Sequence, residues 1–207
     1  DYDIANRNAT DAIIMFGMND VRRESWPLAP EEDGYEIGLD ARMIFVENSV
    51  KNTEKLVNRL RSEGMKVTIM TPSIYDTRAD FTTKVNFKGV NSALTAIAEK
   101  EKVLAPQLGV DLINLHDHMN EINSKFLTSG AEEMISTDRI HPNNVGHYVL
   151  AYNVINYLFK DTGLVASVTV DAANASADAE NATVKDVEVK DGVVKYYYAP
   201  NALPWHN

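Results

Sequence analysis

The stretch Ala12-Ile13-Ile14-Met15-Phe16-Gly17-Met18-Asn19-Asp20 is apolar for five residues, meets a glycine, and then sets a side-chain amide beside a carboxylate. A short apolar run bounded by a turn residue reads as a buried strand, here over residues 12–16. Gly17 closes it, because glycine turns without the Cβ penalty of other residues. Taken by themselves, Asn19 and Asp20 have two uses. Both are common turn formers, and an Asn at the carboxyl end of a strand can donate its amide to a developing oxyanion.

Outward from this stretch the pattern alternates. From Leu39 to Glu63, Met43, Val46, Val50, Val57 and Leu60 keep a helical stripe, and Gly64 stands where a left-handed residue ends a helix. Met65 to Met70 reads as a second strand, broken by Thr71-Pro72. Val90, Leu94, Ile97, Leu104 and Leu108 continue a second helix to Gly109, and Val110 to Leu115 makes a third strand. Strand, helix, strand, helix, strand predicts a parallel sheet covered by helices, since parallel strands need long crossovers and helices supply them. Beyond Pro142, which suits the first turn of a helix, Val145, Val149, Tyr152, Ile155 and Phe159 predict a last helix, with its stop at Asp161-Thr162-Gly163. The character then changes. Val165 to Val170 alternates, Ala172 to Ala182 reads as a loop, and Val184 to Tyr198 predicts a hairpin turning near Asp191-Gly192. The expected organisation is an α/β domain over residues 1–163 and an antiparallel β appendage over 164–207.

Composition narrows the function classes. The chain has 207 residues, is 44% hydrophobic and carries a formal net charge of −10, enough for one sizeable core and with no basic cluster to neutralise phosphates. Nucleic acid and anionic membranes are therefore disfavoured as partners. No run of eighteen apolar residues is present, and the segment DYDIANRN has neither the basic nor the apolar region of a signal peptide. Cys is absent, which excludes disulfides and thiolate metal sites and fits either redox compartment.

The second informative stretch is Ser136-Thr137-Asp138-Arg139-Ile140-His141-Pro142-Asn143. A carboxylate three residues before a histidine suits a pair in which the acid holds the imidazole's tautomer and the imidazole takes a nucleophile's proton. It equally suits an Asp that caps a turn and an ordinary, partly buried His. The combination shifts the balance toward the pair: G-x-N-D follows the first strand and D-x-x-H-P precedes the last helix. Both lie near the carboxyl ends of strands in a parallel sheet, where α/β proteins place ligand sites.

This combination resembles the SGNH (GDSL-type) hydrolase family of esterases, lipases and carbohydrate deacetylases. Gly17, Asn19 and Asp20 match the family's Gly-x-Asn-Asp region, and Asp138 and His141 match its Asp-x-x-His region. The resemblance covers about residues 11–159. It implies a three-layer α/β/α fold with strand order 2-1-3-4-5, of which the strands found here are the third, fourth and fifth. It implies ester hydrolysis through a serine acyl-enzyme, with His141 as general base, Asp138 as its orienting acid, Asn19 as oxyanion donor, and no metal or organic cofactor. A small-molecule or glycan ester is then the expected substrate. From family habit and the Cys-free composition, a secreted or periplasmic location is expected.

One part of the pattern is missing. The family's serine nucleophile and a second oxyanion-hole glycine precede Gly-x-Asn-Asp, but the sixteen residues before Gly17 contain neither Ser nor Gly. Thr10 has no strand-to-helix context for a nucleophile, and Ser136 sits in the base's own loop. The expectation is that this chain is a fragment, inactive alone, partnered by an N-terminal segment of the same polypeptide that carries the serine. A non-catalytic carbohydrate-binding or scaffolding protein of the same fold is the alternative. His116-Asp117-His118 would put two imidazoles on one face of an extended segment, a spacing open to a metal or to plain polar residues at a strand's exit. Two readings are open for residues 21–38, with Trp26, Pro27, Pro30 and Tyr35: a wall of the substrate cleft or a surface loop. Tyr196, Tyr197, Tyr198 and Trp205 suit either hairpin packing or an aromatic platform for sugar rings.

Overall fold

Asp11–Ile14 (β1), Lys66–Met70 (β2) and Asp111–Ile113 (β3) form one parallel sheet in the order β1-β2-β3. Register pairs Ile14 with Ile69 and Met70 with Ile113. The structure, a computed structural model, describes residues 8–79, 84–159 and 166–201, without the side chain of Phe159. It divides into two units, residues 1–159 and 160–207. The expected boundary at 163, the stop at Asp161-Thr162-Gly163, and Trp205 lie outside the described residues.

Strand alternation sorts the helices into two layers. Val67 and Ile69 of β2, with Ile14, pack on Val57 and Leu60 of the helix Leu39–Ser62 (α1) and on Leu104 and Ala105 of Val90–Leu108 (α2). Met70 and Ile113, with Met15, face the other way. They meet Leu115 and Met119 of Leu115–Ser129 (α3) and Val149 of Asn144–Phe159 (α4). The result is the expected α/β/α layering, with β2 buried on both faces except at Lys66. Burying each such aliphatic side chain contributes about 1.5–3 kcal/mol. Among the described residues β1 pairs only with β2, and Ile13 on it is 37% exposed. No described helix is long and apolar enough to cross a membrane.

Three local expectations are corrected. The third strand ends at Ile113, and Asn114 caps a helix that the apolar pattern of residues 110–115 had hidden. Its Oδ1 accepts from the backbone N–H of Asp117, so the short run is half strand, half first helical turn. On α4 the buried stripe is Val149, with Leu150, Val154 and Tyr157 half-buried beside it, whereas Tyr152 is exposed. Pro142 stands before the cap rather than in the first turn: the Asn143 Oδ1 accepts from the Gly146 N–H at 3.1 Å. Gly146 itself is required, because a Cβ there would sit 2.5 Å from the Ile135 carbonyl oxygen.

In the second unit, Ser167–Asp171 (β4) pairs antiparallel with Ser176–Glu180 (β5), so a strand runs through the middle of the segment read as a loop. Small residues hid it, since Ala177 and Ala179 carry too little apolar surface to show an alternation. Ala182–Lys190 (β6) and Val193–Pro200 (β7) form the expected hairpin, turning at Asp191-Gly192 with φ of 51° and 77°, as a two-residue type I′ turn requires. Tyr196, Tyr197 and Tyr198 are all exposed.

Candidate active site

Two loops from the carboxyl side of the sheet pack against one apolar cluster. Met18, in the turn after β1, and Ile140, in the loop before α4, both lie on the core of Val21, Trp26, Tyr75, Leu94 and Ile97. Each anchors the residue that follows it, Asn19 and His141, beside that cluster.

The first turn is built on Gly17, whose φ of 125° is open to glycine and strained for other residues. A Cβ there would lie 3.1 Å from the Pro72 Cβ, so β1's exit also runs tight against the loop after β2. The Gly17 carbonyl accepts from the N–H groups of Asp20 and Val21 at 2.9 and 3.2 Å. Asp20 accepts at 3.0 Å from Ser49 Oγ on α1. Asn19 is left at the surface, where its Oδ1 accepts from Arg23 Nη1 at 3.0 Å. A guanidinium can only donate, so Arg23 holds the amide oxygen and turns the Asn19 Nδ2 donors elsewhere. Arg23, four residues beyond Asn19, is a residue the motif reading missed.

The second turn converges on Asp138. Its Oδ2 accepts from His141 Nδ1 at 2.6 Å, while Oδ1 accepts from the backbone N–H of His141 at 2.8 Å, of Ile140 at 3.0 Å and from Ser136 Oγ at 3.2 Å. Burial raises the Asp138 carboxyl, but the His141 ring and the two backbone donors outweigh it and hold the group well below the usual carboxylate range. An ionised carboxylate only accepts, so it fixes the proton on His141 Nδ1 and leaves the Nε2 lone pair outward. The His141 side chain is 79% exposed, and its ring has no other hydrogen-bond partner among the described residues. The arrangement is an imidazole with its tautomer set by the carboxylate and its Nε2 open. Ser136 is itself 1% exposed, with its hydroxyl proton directed to Asp138.

Residues 3–149 match the GDSL-like lipase/acylhydrolase family. The chain belongs to that family. Solved structures agree on the fold. A gut microbial diltiazem-metabolizing enzyme is 24% identical with a TM-score of 0.67, covering 98% of this chain and 45% of that one. An acetyl-xylooligosaccharide esterase from Geobacillus stearothermophilus, solved as a mutant, is 17% identical with a TM-score of 0.55, covering 78% of this chain and 65% of that one. The acetyl xylan esterase AlAXEase is 20% identical with a TM-score of 0.52, covering 76% of this chain and 71% of that one. The chain thus spans about half the length of the first of these relatives and under two thirds of the second. No curated protein matches it.

In this GDSL-like chain the two histidines of His116-Asp117-His118 do not share a face. They lie in the first turns of α3, where residues two apart point about 200° apart. His116 is fully buried, with Nδ1 donating to the Pro72 carbonyl at 3.1 Å and Nε2 beside Thr95 Oγ1 at 2.9 Å. Burial pushes its pKa down, so it serves as a neutral strut. His118 Nδ1 accepts from Asn153 Nδ2 at 2.9 Å, and among the described residues no group of three ligating side chains forms. Of residues 21–38, Trp26 is buried, its Nε1 donating to the Val21 carbonyl at 2.8 Å, and Arg42 stacks over Trp26 and Tyr35 at 5.1 and 5.3 Å. Trp26 therefore belongs to the core beneath the Gly17 turn.

Proposed function

We propose that this chain carries the base and oxyanion halves of a serine ester hydrolase, in which His141, Asp138 and Asn19 act and Gly17 and Asp20 shape the turn. The observation that carries the reading is the 2.6 Å contact between Asp138 and His141 with Nε2 open. A serine hydroxyl brought to His141 Nε2 gives up its proton as Oγ attacks the ester carbonyl. The oxyanion accepts from Asn19 Nδ2. As the tetrahedral intermediate collapses, His141 returns the proton to the departing alcohol. Water then repeats the sequence to free the acid. In this proposal the serine and a second oxyanion donor lie on an N-terminal segment of the same polypeptide, and the chain alone is inactive. The protein would act outside the cytoplasm, secreted or periplasmic. No organic cofactor or metal takes part.

The substrate class proposed is a carbohydrate or small ester. Acetylated xylo-oligosaccharides come first to assay, because structural neighbours are described as acetylxylan esterases. The test uses the longest natural polypeptide containing this sequence. It should be labelled by a serine-reactive fluorophosphonate and hydrolyse p-nitrophenyl acetate, and His141→Ala should lower turnover by about 10⁴-fold or more with folding preserved. Near-normal hydrolysis by that variant overturns the assignment. The exposed Tyr196, Tyr197 and Tyr198 favour a second reading, a non-catalytic carbohydrate-binding or scaffolding protein. Under it the polypeptide takes up no label yet is retained on a xylan column.

A further inference from the structure

Between Asp138 and His141 the chain places an arginine where the backbone favours a glycine. Arg139 has a φ of 74°, in the left-handed region, and is 6% exposed. Strain of this kind in a non-glycine residue persists only where the surroundings impose it. The surroundings here are the loop that follows β2. The Arg139 carbonyl accepts from the Asp76 N–H at 3.0 Å, its Nε donates to the Ala79 carbonyl at 2.9 Å, and its Nη1 donates to the Lys84 carbonyl at 3.1 Å. Asp76 is anchored in turn: it is fully buried, paired with Arg78 at 3.2 Å and bonded by Asn123 of α3.

We infer that Arg139 is a positioning residue for the Asp138–His141 pair, its buried guanidinium holding the left-handed turn that aims the Ile140 and His141 N–H groups at Asp138 Oδ1. This rests on reading that pair as the catalytic acid and base. The left-handed residue reverses the chain within one step, which is why a carboxylate at 138 reaches both N–H groups and the ring of 141. An arginine suits the task because its planar fork meets two carbonyls at once. A lysine ammonium on a flexible stem does not reproduce that fork. A glycine keeps the turn accessible but removes the clasp, so Arg139→Gly separates backbone strain from side-chain anchoring.

The test follows the ring nitrogens of His141 in ¹⁵N-labelled chain with the imidazole neutral, assigned by their loss in His141→Ala. In the wild type the Nδ1–H tautomer should dominate. In Arg139→Gly the ratio of Nδ1–H to Nε2–H should fall at least ~5-fold, toward the Nε2–H preference of a free histidine, with a smaller fall in Arg139→Lys. In the serine-bearing polypeptide the same variants should lower kcat by at least ~10-fold, with KM changed by less than ~2-fold. A wild-type tautomer ratio in Arg139→Gly overturns the inference, even if its unfolding midpoint drops, and Arg139→Lys decides if the glycine variant does not fold. A wild type without Nδ1–H dominance, or an active His141→Ala, overturns the acid–base reading itself.

Discussion

Asp138 and Glu101 are both carboxylic acids in the α/β unit, and their surroundings drive them in opposite directions. Asp138 sits in a tight turn with two backbone N–H groups, a hydroxyl and an imidazole aimed at it, and is held ionised. Glu101 lies 1% exposed between α1 and α2, where Oε1 accepts from Thr53 Oγ1 at 3.1 Å and Oε2 has no partner among the described residues. Burial pushes it up to about 8; the Thr53 bond opposes this, and the charge of Asp20 adds to it. The contrast teaches that depth and converging donors act together on a carboxyl's charge. Donors that converge on the charged form offset desolvation at Asp138, and one hydroxyl is too few at Glu101.

The contrast breaks most directly at the half-buried acid, Asp138. Asp138→Asn keeps the shape but offers the ring a different partner, so the wrong tautomer becomes available. In the proposed serine-bearing polypeptide its kcat should fall by about 10³- to 10⁴-fold. A loss under about 10-fold would show that the charge at 138 is dispensable to the base. Asn19→Ala removes the amide that Arg23 orients, and should cost about 10²- to 10³-fold in kcat, read beside fluorophosphonate labelling that stays intact.

Glu101→Gln sharpens the buried side of the comparison with a smaller effect. The folded pKa of Glu101, about 8, lies above the unfolded 4.5. Stability from its protonated form is therefore complete below the unfolded value and declines as pH rises toward the folded one. Within that window the wild type should lose up to about 1.4 kcal/mol per pH unit from this group. Urea unfolding should find that slope reduced in Glu101→Gln, and the variant more stable than wild type at neutral pH. An unchanged slope would mean that Glu101 ionises in place.

The strands and helices that carry this fold were legible in Ile13-Ile14-Met15, Val67 to Met70 and the stripe Val46, Val57 and Leu60, because burial on fixed periods leaves a trace in apolar residues. The capping glycines Gly64 and Gly109 were legible for the same local reason, both adopting positive φ where a helix stops. What failed to show was polar and buried. Ser49 and Thr53 complete the inner stripe of α1, and Asp76, Glu101, His116 and Arg139 are all buried. Such residues look like surface in a sequence, since only a partner far along the chain makes their burial tolerable.

By itself the sequence determined the parallel α/β arrangement, the two motif loops and the residue types that suit acyl transfer, all through local spacing. Tertiary structure alone decided which face Ser49 turned to, that His116 is a strut, and that Arg139 ties the Asp138–His141 turn to the loop after β2. The physical reason is range. Periodicity and turn chemistry act over a few residues, whereas a hydrogen bond from residue 139 to residue 79 exists only after the sheet has brought both loops to one end.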